Sequence, residues 1–189
     1  MRSRVLTPPE SVFAIQTLRE QVRIEAIGDS HPDDALLLRQ AKAARAWAEK
    51  YTGRAIGEQT REAVADDFTE LQYTGLPGGP VSVVEAVEYR AAGTNVWTGL
   101  DPAAYFFDAY VNMILFVPYA SLPATSLVER AIRVRYVVGA EPEPDVLAAV
   151  LLLVAELYAN RETSAQMTLL DVPLSAKALL APYRLEIGV

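Results

Sequence analysis

The sequence predicts an α+β protein: a helical bundle drawn from its N- and C-terminal segments, with a β-rich insertion between them. Two observations carry that prediction. Apolar residues recur at helical spacing over residues 10–54 and again over 144–185, whereas 55–139 switches to period two with turn residues between short runs. The length, 189 residues, suits one domain with an insertion, and a chain of this size buries roughly 70% of its extended surface without a disulfide or metal staple. Residues 1–9 and 186–189 are expected to be terminal arms.

In chain order, Pro8-Pro9 blocks helix until Glu10, and Val12, Ile15, Leu18 and Val22 predict a first helix over 11–24. Pro32 and the acids Asp33 and Asp34 announce a second, running to Thr52 and stopped by Gly53. On it, Leu37, Ala41, Ala44, Ala48 and Tyr51 share one face, and Arg39, Lys42 and Arg45 another. Alanines at this spacing let a neighbouring helix approach closely, so the first face is a candidate subunit interface.

The insertion reads as five to seven strands: a poorly defined strand pair over 60–71, then runs at 81–91, 96–97, 105–107, 111–117 and 131–138. In the last, Ile132, Val134 and Tyr136 face one way while Arg133, Arg135 and Arg130 face the other. Leu76-Pro77-Gly78-Gly79-Pro80 is a rigid entry loop. Pro144-Asp145 starts a helix predicted to run to Glu162, and its first ten residues after Asp145 are apolar all round. A helix without a polar face is buried on every side, in its own core or against other subunits. A 189-residue chain has little room to surround it, which favours subunit contacts, through Leu151, Leu152, Tyr158 and Arg161. A short helix over 173–181 precedes Pro182-Tyr183-Arg184 and the apolar residues Ile187 and Val189.

Composition excludes several chemistries. There is no cysteine and one histidine, and 24 acids against 17 bases give a net charge of −7. Thiol catalysis, disulfides and cysteine or multi-histidine metal sites are therefore outside its repertoire. The acidity argues against a groove that wraps a nucleic-acid backbone. Fourteen arginines against three lysines fit an interface protein, though a GC-rich genome would give the same bias. No signal-peptide pattern is visible, and the longest apolar stretch, 146–155, is about half a bilayer span, so a soluble, cytoplasmic chain is expected.

No motif argues for catalysis. His31 sits among Asp29, Asp33 and Asp34, an arrangement that reads as a helix-capping turn. A small hydrolase using His31 is the enzymatic alternative. The loop 75–80 lacks the Lys and Ser/Thr of a phosphate cradle, and Pro80 removes an N–H. Asp66-Asp67 and Glu141/Glu143 read as solvated turn acids, and Arg39/Lys42/Arg45 as a solvated face. No catalytic, cofactor-binding or metal-ligating residue is assigned.

Five ordered blocks together resemble the head–tail connector (adaptor) family of long-tailed phages, also found in prophages and gene transfer agents. They are the Ala-rich helix ending Tyr51-Thr52-Gly53-Arg54; Leu76-Pro77 with Pro80-Val81 and the strand 84–89; and Ile132-Arg133-Val134-Arg135-Tyr136 closing at Gly139, then Pro144. The fourth is the run 151–162, Leu-Leu-Leu-Val-Ala-Glu-Leu-Tyr-Ala-Asn-Arg-Glu, and the fifth is Ala178-Leu179-Leu180-Ala181-Pro182-Tyr183-Arg184. Ala159, where a polar residue is expected, and the turn lengthened by Glu141-Pro142 depart from the pattern.

The resemblance implies a non-enzymatic virion protein of the neck, assembled in the host cytoplasm as a ring that is usually twelvefold. Such a ring attaches beneath the portal protein at the capsid vertex, extends the DNA channel without binding DNA specifically, and docks the next tail or stopper protein. It implies no cofactor and no membrane. Residues 173–189, through Leu179, Leu180, Tyr183, Arg184 and Ile187, are the candidate portal-docking segment. A tail-completion protein that binds the tail tube is the alternative within the same class.

Overall fold

The computed structural model describes residues 1–10, 13–26, 29–160 and 173–185. It contains both helices and antiparallel sheets, the α+β composition the sequence predicts. The chain divides into two compact units, one of residues 1–9 with 57–140 and one of residues 10–56 with 141–189.

The first unit is built on a five-stranded antiparallel sheet. Its strands are β1 (Arg2–Thr7), β2 (Gln59–Ala65), β3 (Val81–Arg90), β4 (Trp97–Gly99) and β7 (Ile132–Val138), in the order β1-β2-β7-β3-β4. A separate hairpin pairs β5 (Tyr105–Asp108) with β6 (Met113–Phe116). Central β7 alternates as its sequence predicts: Ile132, Val134, Tyr136 and Val138 are buried, and Arg133 and Arg135 point to the opposite face. On the buried face Phe68 packs against Tyr89 of β3 and edge-on against Phe116 of β6, with ring centroids 6.1 and 5.5 Å apart.

The entry loop is held from beneath. The hydroxyl of Tyr136, a fully buried side chain, donates to the Pro77 carbonyl at 2.9 Å. Burial pushes that phenol's pKa up to about 12. Asn112 donates from Nδ2 to the Leu76 carbonyl at 2.7 Å and accepts the Leu76 N–H at 3.0 Å. Gly78 has φ +85, a left-handed backbone conformation that favours glycine. With the Leu76 and Pro77 carbonyls engaged inside the unit, this loop is a structural turn.

Two elements differ from expectation. Residues 2–7, expected as an arm, form the edge strand β1, antiparallel to β2. All six are exposed, so no apolar alternation signals the strand; backbone pairing makes it. The strand pair expected over 60–71 is one strand followed by a helix, α3 (Phe68–Tyr73). Asp67 accepts the Glu70 N–H at 2.7 Å, while the Glu70 carboxylate accepts the Asp66 N–H at 2.7 Å. This reciprocal capping at Asp67-x-x-Glu70 fixes the helix start against the β propensity around it.

The second unit is helical: α1 (Ile15–Val22), α2 (Asp34–Thr52), α4 (Pro144–Ala159) and α5 (Leu174–Leu180), with a further 3-10 turn at Ala181–Tyr183. Helix α1 is shorter than predicted: Ala14 is extended and Arg23 left-handed, at φ 59. The predicted positions 11 and 12 lie outside the described residues. Helix α2 ends as expected, with Gly53 at φ 73. The core gathers Leu18 from α1, Leu37, Ala41, Ala44 and Ala48 from α2, Val146, Ala149, Val150, Leu153 and Val154 from α4, and Ala176 and Leu180 from α5. Helix α4 is therefore fully buried along one face, with Leu147, Leu151 and Leu152 half-buried against the same core. Among the described residues no helix is long and apolar enough to cross a membrane.

Candidate docking surfaces

The interface candidates on α2 divide by depth. Leu37, Ala41, Ala44 and Ala48 are packed inside their own chain, against α4 and its neighbours. The close helix approach that their small side chains predict occurs within the protomer, so they offer a second copy no surface. This corrects their assignment as subunit contacts. The same holds for Leu180, a portal-docking candidate that lies in the core with no exposure. Leu151, Leu152, Tyr158 and Leu179 are half-buried on the outside of that core. Arg161 and Ile187 lie outside the described residues.

Tyr51 is different, because it is only half-buried against that core. Its ring stacks on Trp47, one turn earlier, with centroids 5.1 Å apart and planes 12° apart. The Arg184 guanidinium lies 5.1 Å from the Tyr51 ring centroid, and that of Arg54 lies 5.8 Å from the Tyr183 ring. The Leu185 N–H donates to the Thr52 carbonyl at 2.8 Å, pinning the C-terminal segment to the end of α2. Tyr183 O–H also reaches Asp145 at 3.4 Å. Partial burial, with the carboxylates of Asp145 and Glu143 nearby, raises the pKa of this phenol. Tyr51, expected at a subunit interface, and Tyr183 and Arg184, expected at the portal, thus share one aromatic and arginine patch. Trp47 and Arg54 belong to it too. Neither is among the interface or docking candidates the sequence offers, although Trp47 and Tyr51 at i, i+4 signal the first.

His31 and its acids form an anchor. Arg19, almost completely buried, grips Asp34 through Nε at 2.8 Å and Nη2 at 2.6 Å. Asp34 accepts the His31 N–H at 2.9 Å, and His31 Nδ1 accepts the Asp33 N–H at 3.0 Å. The Tyr158 hydroxyl donates to Asp33 at 2.5 Å. These contacts tie α1 and α4 to the start of α2, and among the described residues no cluster of three metal-ligating side chains occurs.

The Arg19 guanidinium, with the His31 N–H, holds Asp34 at a pKa of about 2, below the ordinary 3.8. Its contribution to stability is complete above the unfolded value and is lost as pH falls from about 4 toward 2. Urea midpoints measured across that window should fall less steeply in Asp34→Asn than in the wild type.

No family model matches the chain, and no curated protein sequence does. Solved structures do match. A chain in the virion of a native gene transfer agent particle is 22% identical, with a TM-score of 0.78, covering 100% of this chain and 98% of the other. A chain in the neck of an empty particle of that kind, computed with C6 symmetry, gives 22% and 0.74 at the same coverage. One in the native neck, computed with C12 symmetry, gives 21% and 0.75, again at that coverage.

The fold is shared end to end. The chain therefore has the fold of chains found in gene transfer agent virion and neck structures, over its full length.

Proposed function

We propose that this protein is a structural adaptor of a phage-like neck. Copies form a ring, twelvefold by the resemblance, beneath the portal at the capsid vertex, continuing the DNA channel and offering a docking surface to the tail or stopper protein. The observation that carries this reading is the full-length likeness to gene transfer agent virion and neck chains, covering 98% of each. Composition supports it, since a chain without cysteine whose one histidine is engaged in a turn is suited to shape and contact.

In this reading the patch of Trp47, Tyr51, Arg54, Tyr183 and Arg184 is the portal-docking surface. Trp, Tyr and Arg are the side chains that dominate binding energy at protein interfaces. The half-buried outer residues of α4, Leu151 and Leu152, are the subunit contacts that remain after the α2 alanines are withdrawn.

Removing residues 174–189 would also remove the buried Ala176 and Leu180, so surface substitutions make the cleaner test. Purified portal rings incubated with the full chain should carry a second ring visible by electron microscopy. Tyr183→Ala with Arg184→Ala should weaken capture about tenfold or more while the thermal midpoint holds. Particles formed without the protein should be filled, tailless heads. Tailed particles assembled in its absence would overturn the proposal, and capture by tail tubes instead of portal rings would favour the tail-completion alternative.

A further inference from the structure

The first unit holds seven arginines and ten carboxylates, yet five of the arginines surround one open pocket. The pocket, of about 370 Å³, lies on the sheet face opposite the Tyr136 core. Arg2 and Arg4 of β1, Arg90 of β3, Arg130 before β7 and Arg133 within it line it, together with Glu62 and Trp97. The antiparallel register brings them together: Arg2 stands across from Val64, Val64 from Arg133, Arg4 from Glu62, and Arg90 from Trp97.

The carboxylates of this face are already engaged. Glu88 takes both Nε and Nη2 of Arg133, at 2.6 and 3.0 Å, and Glu62 pairs with Arg4 at 2.7 Å. Arg90 and Arg133 both stack on the Trp97 ring, at 4.6 and 4.4 Å from its centroid. Arg90 Nε is buried and lacks a hydrogen-bond partner, and among the described residues no salt bridge reaches Arg2, Arg90 or Arg130. Three guanidinium groups without a salt-bridge partner among the described residues, one of them stacked on an aromatic ring, form a surface prepared for carboxylates.

A complementary segment exists in the same sequence. Glu141-Pro142-Glu143-Pro144-Asp145 sets three exposed carboxylates two residues apart, stiffened by two prolines, and residues 136–160 contain no basic side chain. Among the described residues the one salt bridge to this run, Arg54 to Glu143, is long, at 3.7 Å. Duplex DNA fits the pocket less well. The chain as a whole carries a net charge of −7, and the five arginines are gathered in one pocket of about 370 Å³ where following a phosphate backbone would need an extended stripe.

We propose that the arginine pocket receives the Glu141–Asp145 segment of a neighbouring copy of this chain. The two surfaces differ, so the contact is heterologous, the kind that closes rings. The proposal rests on the ring reading above and adds a polar contact between neighbouring copies to the apolar one at Leu151 and Leu152.

The test uses sedimentation of the full-length protein, up to millimolar concentration, at low and high salt. Self-association should be present at low salt and weaken as salt rises. Arg90→Glu with Arg130→Glu, and separately Glu141→Arg with Glu143→Arg, should each weaken it about tenfold or more, with thermal midpoints confirming that the variants fold. Mixing the two variants should restore association, because each keeps one intact surface and the reversed pair is again complementary.

Association unchanged in either variant, a wild type that stays monomeric, or no recovery on mixing would each overturn this contact. So would a loss of duplex-DNA affinity in the arginine variant with self-association intact. Rings that persist on portals in both variants would overturn the contact while leaving the neck reading standing. A wild type that associates in solution but is not captured by portals would overturn the neck reading instead.

Discussion

Tyr136→Ala is expected to destabilise the protein by about 3–5 kcal/mol, as deletion of large buried aromatic side chains does. The ring is fully buried on the central strand, and its hydroxyl supports the entry loop at the Pro77 carbonyl. The alanine variant loses both packing and support. Tyr136→Phe keeps the ring and removes only the hydrogen bond, leaving the carbonyl without its partner at a cost of about 1–2 kcal/mol. Urea unfolding of the two variants separates the contributions. Equal losses would show that the hydrogen bond outweighs the packing and would refute this account of the core.

Leu37→Ala should cost about 2–5 kcal/mol in the isolated chain. Leu37 has no exposed surface and belongs to the core formed by α1, α2, α4 and α5. If it were instead a subunit contact, truncation would leave the monomer's unfolding curve unchanged and alter only assembly. Chemical denaturation under monomeric conditions distinguishes the cases, and an unchanged midpoint would restore the interface assignment that its burial withdraws.

The contrast between Leu37 and Tyr51 shows how far the sequence reaches. Both fall on one stripe of α2, and the period of 3.6 residues places them there without any knowledge of neighbours. Which neighbour covers the stripe is a different matter. Helix α4 of the same chain covers the alanines, and Tyr51, half-buried against the same core, also meets Arg184. Periodicity likewise recovers the alternation along β7, because a strand with one face in a core must separate apolar from polar residues.

It fails for β1, where all six residues are exposed and no such separation exists. At α3 the sequence holds both signals: Asp67-x-x-Glu70 is a local helix cap, and it prevails over the β-like residues Val64 and Phe68. The aromatic and arginine patch is half legible: Tyr51, Tyr183 and Arg184 each stand out in the sequence, but nothing in a linear chain joins residues 51 and 183. The Leu185–Thr52 hydrogen bond does.

The sequence by itself determined the class, most of the element positions and the chemistries that composition forbids. Those depend on local periodicity, caps and residue counts. The tertiary structure decided what faces outward and what gathers. Alanines that invite a neighbouring helix received one from their own chain, and arginines from residues 2 to 133 converged on one sheet face. The physical reason is that a helix or strand specifies only the direction in which a side chain points, while packing and strand register specify what it meets.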